Sequence, residues 1–356
     1  VIQMTNYPLL KSISKMKKSL MTLGVLALFV LMAYGQEKKF ALYSVAFYNM
    51  ENLFDTIHDE GKNDYEYLPN GTNQWNTMKY KAKLKNMSEI LSLLSTDKLP
   101  MGPAIIGVSE IENYRVLEDI LKQPALADRG YRYVHYEGED QRGVDCAFFY
   151  NPKLFELTNS KLVPYVYIND TIHKTRGFLI ASGNIAGEKM HFIVNHWPSR
   201  AAASPARERA GEQVRAIKDS LLREDSAAKI VIMGDMNDDP MDKSMAVALG
   251  AKRKPVDAGP TDLYNPWWDT LKKGYGTLMY KGKWNLFDQI VFTGNLLGTD
   301  RSTLKFYKHE IFSRDFMFQK EGKYKGYPKR TQAGGVWLNG YSDHLPTIIY
   351  LIKEVK

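Results

Sequence analysis

Strand-like runs in this sequence repeatedly close on residues that can hold a cation or move a proton. Asn49 and Glu51 end one apolar run, Glu110 and Glu112 end a second, and Asn195 with His196 ends a third. Asp235 and Asn237 lie at the end of KIVIMGDMN, Asp288 sits in NLFDQIVF, and Asp343 with His344 precedes the last run. Arg142 and Asp145 flank Gly143 where another run opens. In α/β folds the strand ends line the crevice that binds ligands. Aligned there, these acids, amides and imidazoles would crowd one small volume. Buried carboxylates need a cation or hydrogen-bond donors, and neighbouring like charges raise one another's pKa. A hard divalent ion such as Mg²⁺ meets the demand, since it takes oxygen ligands and keeps several waters.

The elements that must position these groups are short. Runs at 41–50, 104–111, 145–151, 178–187, 190–197, 229–237, 287–294 and 347–355 are rich in Val, Ile, Phe and Tyr between polar residues. That pattern predicts strands buried on at least one face. Tyr80, Leu84, Met87, Ile90, Leu91 and Leu94 recur at helical spacing within 76–96, as do Val214, Ile217, Leu221 and Leu222 within 205–225. Weaker helical patterns lie at 114–127 and 241–249. With no internal repeat and no Pro/Ser-rich linker, the expectation is one α/β domain over residues 36–356.

The 356 residues are 44% hydrophobic and 25% charged, which excludes a disordered, collagenous or low-complexity chain. The single cysteine, Cys146, excludes an intramolecular disulfide and a Cys-rich zinc site, and it reads as a small buried hydrophobe. The net charge is +8, but residues 1–35 hold four lysines and no acid, leaving +4 beyond them. Such a balance favours a polyanionic ligand without demanding one. After Met16, Lys17 and Lys18 precede an apolar stretch at 20–33, and Ala33-Tyr34-Gly35 then offers a small-x-small cleavage pattern. The stretch is shorter than the roughly 20 residues a membrane-spanning helix needs. The expectation is translation from Met16, a signal peptide within residues 1–35, and a mature chain from Gln36 that works in the periplasm or outside the cell with no stable membrane anchor.

The segments YNMEN, SEIEN, RGVD, NHWPS, GDMND, FDQI and SDH occur in this order between Phe47 and Leu345. Together they resemble the endonuclease/exonuclease/phosphatase superfamily, the group of pancreatic deoxyribonuclease, exonuclease III, neutral sphingomyelinases and inositol polyphosphate phosphatases. The resemblance implies a four-layer α/β sandwich: two face-to-face, mostly antiparallel sheets flanked by helices. It also implies a phosphoesterase dependent on Mg²⁺ or Mn²⁺. In that frame Glu110 and, beside it, Asn49 are metal ligands, and Asp343 reaches the metal. Glu51 stands where some relatives carry a second acidic ligand, and its role stays open. Asp235 activates the attacking water or assists the leaving oxygen, and Asn237 orients the phosphate. Asp288 fixes and charges the His344 imidazole, which binds a phosphate oxygen, and His196 contacts the phosphate from the other side. Around the substrate the resemblance and the chemistry of the side chains place Asn49, Asn195, Arg200 and Arg142, the last as a phosphate clamp. Asp145 would orient Arg142 or support His196. The remaining histidines, at 58, 135, 173, 191 and 309, have no motif around them and read as surface or structural residues.

Two basic loops bear on the substrate. Residues 199–209 hold Arg200, Arg207 and Arg209, and 320–330 holds five basic residues, one acid and two tyrosines. Cations for phosphates and rings for bases suit a nucleic-acid strand, and a solvated lysine-rich loop has the same composition. The expected activity is a nuclease-type phosphodiesterase, most readily of DNA, acting as a monomer. The alternative is hydrolysis of a smaller phosphoester, such as an inositol or sugar phosphate, or of a phospholipid head group. For the lipid case, Tyr264-Asn265-Pro266-Trp267-Trp268 is the one segment that hints at an apolar hairpin for membrane contact. A binding module without catalysis is a further alternative, opposed by the full set of motif residues.

Overall fold

The computed structural model describes residues 38–168, 170 and 172–355. The expected signal peptide, with Met16 and Gln36, falls outside the described residues. Residues Leu42–Lys353 form one compact unit. The described residues that flank it, 38–41 and 354–355, belong to a second unit, in which Lys38 Nζ donates to Glu354 Oε2 at 2.8 Å.

In chain order the strands and helices are β1 (Lys39–Leu53), α1 (Thr77–Leu93), β2 (Ile105–Ile111), α2 (Tyr114–Leu121), β3 (Arg132–His135), β4 (Asp145–Tyr150) and β5 (Phe155–Val163). Next come β6 (Phe178–Ile185), β7 (Glu188–His196), α3 (Ser204–Glu224), β8 (Lys229–Asp235), β9 (Leu263–Tyr264) and α4 (Trp268–Lys272). The last part holds β10 (Leu278–Tyr280), β11 (Lys283–Asn285), β12 (Asp288–Thr293), β13 (Lys305–Ile311), β14 (Gln332–Ala333), β15 (Val336–Trp337) and β16 (Thr347–Val355). Two six-stranded sheets result, ordered β13-β16-β1-β2-β4-β3 and β5-β6-β7-β8-β12-β9. Among the pairings, β1–β2 and β7–β8 are parallel, one near the middle of each sheet, while β2–β4, β3–β4, β5–β6, β6–β7, β8–β12, β9–β12 and β13–β16 are antiparallel.

Side chains alternate across a strand with a period of two, and β1 sorts its residues accordingly. Val45 and Phe47 enter the apolar layer shared with Leu179, Phe192, Val231 and Ile290 of the second sheet. Ala46, Tyr48 and Met50 join the opposite layer, under Leu84, Met87 and Ile90 of α1 and Val116 and Ile120 of α2. Beneath the second sheet, Ile193, Ile230 and Ile232 meet Ala210, Val214 and Leu221 of α3. Helix, sheet, sheet and helix are thus four layers joined by three apolar seams, as the resemblance implied. Gly107 shows how closely the sheets approach: a Cβ there would lie 2.5 Å from Met233 Sδ.

Sequence periodicity locates the buried strands and misses β3, β5 and β13. Each lies at the edge of its sheet, where one side of the strand meets solvent and polar residues blur the alternation. The helical expectation at 241–249 is met by the short turn Ser244–Leu249. Trp267 is buried and donates through Nε1 to the Ile290 carbonyl at 2.9 Å, so the segment that hints at a membrane-contact hairpin is anchored in the core. No helix among the described residues is long and apolar enough to cross a membrane.

Where β2 passes into α2, the chain buries acid. Asn113 caps α2 by accepting from the amides of Arg115 and Val116, and Arg115 pairs with Asp55 at 2.5 Å and Asp59 at 2.6 Å. Glu112 accepts from the Asp55 amide at 2.6 Å, and burial, reinforced by Asp55 and Asp59, pushes its carboxyl up to about 9. Folding therefore takes up a proton here. The stabilisation from that protonated form is full below the ordinary glutamate range and is lost as the pH rises through about 9. Glu112→Gln, which mimics the protonated acid, should raise stability at pH 8 by about 3–5 kcal/mol and leave it nearly unchanged at pH 4.5. Denaturation curves of both proteins at the two pH values check this; an equal effect at both would mean the carboxyl titrates normally.

Candidate active site

The register of the second sheet sets three of the expected residues side by side. His196 at the end of β7 pairs with Asp235 at the end of β8, and Asp235 pairs in turn with Asp288 at the start of β12. The first sheet contributes Asn49 opposite Ser109, with Glu110 one residue further along β2. His344 comes from the turn before β16, and its Nδ1 donates to Asp288 Oδ2 at 2.7 Å. Its Nε2 lies 3.9 Å from Asp235 Oδ2. His196 Nε2 stands 3.7 Å from Glu110 Oε1 and 3.8 Å from Asp235 Oδ2.

Asn49 ties the two sheets together. Its Nδ2 donates to Glu110 Oε1 at 3.1 Å and Asp235 Oδ2 at 3.0 Å, while its Oδ1 accepts from the Glu51 amide at 2.9 Å. Holding the carboxylates here takes unusual backbone: Glu51, Asn52, Glu110 and Asn237 have φ of 44°, 52°, 60° and 51°. That left-handed region costs a side-chain-bearing residue on the order of 1 kcal/mol, and residues held in it cluster at functional sites.

Burial and neighbouring charge drive the titrating groups apart. Burial lifts the Asp235 carboxyl to about 7; Asp288 and Glu110 add to the rise and His344 opposes it. Burial alone would depress His344, but Asp288 and Asp235 outweigh it and hold this imidazole well above its ordinary value. His196 has no acceptor at its buried Nδ1, and burial together with Arg176, Arg142 and His344 holds it well below. Near neutral pH the site therefore presents one imidazolium, one neutral imidazole and a carboxyl between them that can change state.

Asn49, Glu110, His196, Asp235, Asp288 and His344 are gathered into this volume. Asn237 borders it, donating through Nδ2 to the Trp197 carbonyl at 3.0 Å and through its amide to Asp235 Oδ1 at 2.9 Å. Other expectations need correction. Asn195 is fully buried and spends its amide on the Ile193 and Met233 carbonyls and on Trp197, so it braces β7 and cannot reach a substrate. Asp145 accepts from His135 and from the Gly138 amide, and supports neither Arg142 nor His196. His135 is correspondingly buried, a structural partner for that acid. Arg200 stacks on Phe287 and reaches Asp238, Asp239 and Asp242, which makes it a brace for the loop after β8. Arg142 is half exposed, 3.5 Å from Asp140, and remains open to an anion. Asn49 presents its amide hydrogens, and not its oxygen, to the carboxylates, so it organises a metal site without being a ligand as placed. Asp343 is paired with Arg330 Nη2 at 2.8 Å, leaving only its other oxygen near His344.

Three charged residues around the site have contacts that the sequence does not signal. Arg176 is buried, donates to Asp140 at 3.0 Å and to the Trp197 carbonyl at 2.8 Å, and lies close enough to His196 to depress it. Arg330 joins Asp343 to Glu51, donating through Nε to Glu51 Oε1 at 2.9 Å. Lys83 of α1 is fully buried and donates to Thr331 Oγ1 at 2.5 Å and to the Tyr341 carbonyl at 2.6 Å. The first two stand in polar or basic loops with no apolar pattern to fix their direction, and the third sits on the apolar face of a helix. Glu51, whose role the motifs leave open, is thereby a partner of Arg330 and of the Thr331 amide.

A divalent cation fits. Glu110, His196 and Asp235 offer ligand atoms that all lie within 4.8 Å of one another, as do Asp235, Asp288 and His344. The carboxylates carry more negative charge than the single imidazolium balances, and oxygen donors in such surplus suit a hard ion.

The family model described as Endonuclease/Exonuclease/phosphatase family matches residues 44–353. No curated protein matches the sequence significantly. Among solved structures, an endonuclease/exonuclease/phosphatase family protein from Bacteroides thetaiotaomicron superposes with a TM-score of 0.56 at 15% identity, covering 90% of this chain and 98% of its own. A mannosyl-6-phosphatase from the same organism gives 0.54 at 14% identity, over 87% and 99%. TDP2 from D. rerio, complexed with a single-strand DNA product, gives 0.53 at 14% identity, also over 87% and 99%. At these identities the likeness is one of fold.

The Asp288–His344 pair yields a direct test. Asp288→Asn removes the charge that keeps His344 protonated, so the imidazole resonances of His344 should titrate at lower pH in NMR spectra of the variant. Turnover of a phosphoester should fall by about 10²–10⁴-fold. An unmoved His344 titration would show that the pairing does not set its charge.

Proposed function

The chain belongs to the endonuclease/exonuclease/phosphatase family, whose members are metal-dependent phosphoester hydrolases, and from that premise we propose that it is an exported phosphodiesterase that cleaves nucleic acid. The observation that carries the chemistry is the row His196–Asp235–Asp288 closed by His344. Asp235 has the position and the raised affinity for protons of a group that takes one from an attacking water. Protonated His344, charged and oriented by Asp288, binds a non-bridging phosphoryl oxygen and holds the charge that develops there. Neutral His196 stands on the other side of Asp235, where its ring N–H donates a hydrogen bond to the phosphate, and the proton that Asp235 takes from the water returns to the leaving oxygen. Asn49 holds Glu110 and Asp235 at fixed separation, and Asn237 fixes the Asp235 carboxylate through its amide. Glu110 would hold Mg²⁺ or Mn²⁺ beside Asp235, and the ion when bound would supply Lewis-acid neutralisation of the phosphoryl group.

Support for a polymeric substrate comes from one of the two basic loops. In 199–209 the arginines are committed within the protein: Arg200 as above, Arg207 to Asp238, and Arg209 to Glu212. In 320–330, Lys323, Lys325 and Lys329 have no acidic partner among the described residues, and Tyr324 is exposed. The apolar segment that would favour a lipid substrate is buried. Export rests on the sequence of residues 1–35.

The test compares bis-(p-nitrophenyl) phosphate with p-nitrophenyl phosphate, using residues 36–356 with Mn²⁺ and Asp235→Ala as control. Diester hydrolysis should dominate, fall at least about 10³-fold in the variant, and vanish in chelator. Dominant monoester hydrolysis would replace the nuclease reading with a small-molecule phosphatase, the reading that the mannosyl-6-phosphatase neighbour represents.

A further inference from the structure

Two segments distant in sequence and almost free of acid meet beside the active site. The first, 271–284, runs from the end of α4 through β10 to the start of β11 and carries Lys272, Lys273, Lys281 and Lys283 with no Asp or Glu. The second, 319–330, carries Lys320, Lys323, Lys325, Lys329 and Arg330 against Glu321 alone. Tyr327 joins them: its hydroxyl accepts from the Gly282 amide, at the tip of the β10–β11 hairpin, at 2.6 Å. Its ring meets that of Tyr324 edge-on at 5.4 Å.

The joined surface leads out of the catalytic centre at both of its roots. Leu278 of β10 is bridged to His344, and the Leu345 amide donates to the Thr277 carbonyl at 2.8 Å. Arg330, at the other root, touches Glu51 and Asp343. From Leu278 to Lys281 the strand advances roughly 10 Å, so the tip cations stand outside the site but within a short polymer's reach of it.

The surface also carries exposed rings. Tyr280 and Tyr324 are 63% and 52% exposed, and each has a lysine near its ring: Lys281 at 5.2 Å from the Tyr280 centroid and Lys323 at 5.6 Å from that of Tyr324. Lys281, Lys283, Lys323 and Lys325 have no carboxylate partner among the described residues, unlike Lys320, which pairs with Asp315. Unpaired cations beside accessible aromatic faces are the composition that binds single strands, because the phosphates meet the cations and the unstacked bases meet the rings. A duplex keeps its bases stacked on one another and cannot use the rings.

We infer that the β10–β11 hairpin and the 319–330 loop form a ridge that binds a single-stranded nucleic acid next to the catalytic centre, with Tyr280 and Tyr324 stacking on bases and Lys281, Lys283, Lys323 and Lys325 neutralising phosphates. This deepens the phosphodiesterase reading and rests on it for the identity of the substrate. Tyr327 is a positioning residue that holds the two halves in one surface.

The experiment measures binding of a fluorescein-labelled 20-nucleotide oligo-dT by anisotropy, with Asp235→Ala in the full mature chain to prevent cleavage. The ridge variants are Tyr280→Ala/Tyr324→Ala and Lys281→Glu/Lys283→Glu/Lys323→Glu, each made also with Asp235 intact. Removing the rings should weaken binding by about 10–100-fold. Replacing the lysines should weaken it and flatten the log–log salt dependence by about 0.7 for each phosphate left without its cation. Hydrolysis of bis-(p-nitrophenyl) phosphate by the forms with Asp235 intact should stay within twofold of the parent, and this shows that the variants are folded. Oligonucleotide affinity unchanged in the ring variant, or equal affinity for a duplex of the same length, overturns the inference while diester hydrolysis leaves the catalytic reading standing. Absence of diester hydrolysis in the parent chain would instead fail that reading, whatever the oligonucleotide does.

Discussion

The structure turns on the crowding of carboxylates around Asp235. Asp288 is beside it in the sheet and Glu110 faces it from the other sheet, tied to it by the shared amide of Asn49. In a buried volume such a group is unfavourable unless positive charge or donors accompany it. His344 supplies the first share, and it can do so only because Asp288, itself fully buried, accepts from its Nδ1. The rest of the negative surplus is what makes the site a receptor for a cation and, through it, for a phosphoryl group. The same carboxylates that would destabilise an apolar core are tolerated here at strand ends, where His344 and the Asn49 amide meet part of their charge and Glu110 keeps a little exposure.

A second balance of charge surrounds the first. Glu51 and Asp343 lie just outside the central group, and Arg330 spans them while Lys83 approaches from beneath through Thr331 and Tyr341. Burial lifts Glu51 to about 7, with Asp343 adding to the rise, and lowers Lys83 to about 8. Their opposed shifts reflect the cost of holding charges in one dry region. On the far side Arg176 and Asp140 form a similarly buried pair against the Trp197 carbonyl. Breaking such a pair by removing one partner strands a buried charge and is far costlier than its net contribution to stability. These pairs fix the loops that carry Asn237, Asp343 and His344, and so determine where the reactive groups stand.

Much of the site is legible in the sequence because its residues sit at the ends of buried strands, which apolar runs mark clearly. His196, Asp235 and Asp288 share a row in the structure, and each can be named from the run it borders. The α/β class follows from the same runs, while the four-layer sandwich is implied only by the family resemblance of the motifs. The edge strands Arg132–His135, Phe155–Val163 and Lys305–Ile311 are not legible, since one side of each faces solvent and the alternation that periodicity detects is diluted. Arg200 and Asn195 mislead for a different reason. Their neighbours in sequence are site residues, but side-chain direction depends on pairing partners, Asp238 to Asp242 for one and the β8 carbonyl of Met233 for the other. Arg176, Arg330 and Lys83 are invisible because their partners lie far along the chain: 36 residues for Asp140, 279 for Glu51 and 248 for Thr331.

The position of His344 carries a consequence for the life of the chain. The imidazole that completes the site is held between Asp288 and the turn into the last strand, Thr347–Val355, while Asn49 lies near the other end of the described chain. Ser342 bonds to the Asn49 carbonyl at 2.8 Å, which closes a loop of 293 residues. Contacts of such separation form late, because the entropy of closing the loop must be met before they return any energy. A chain in which the strand Thr347–Val355 has not yet docked therefore has its acids but not its imidazolium in place. The site is therefore complete only when the two ends of this 293-residue loop have met.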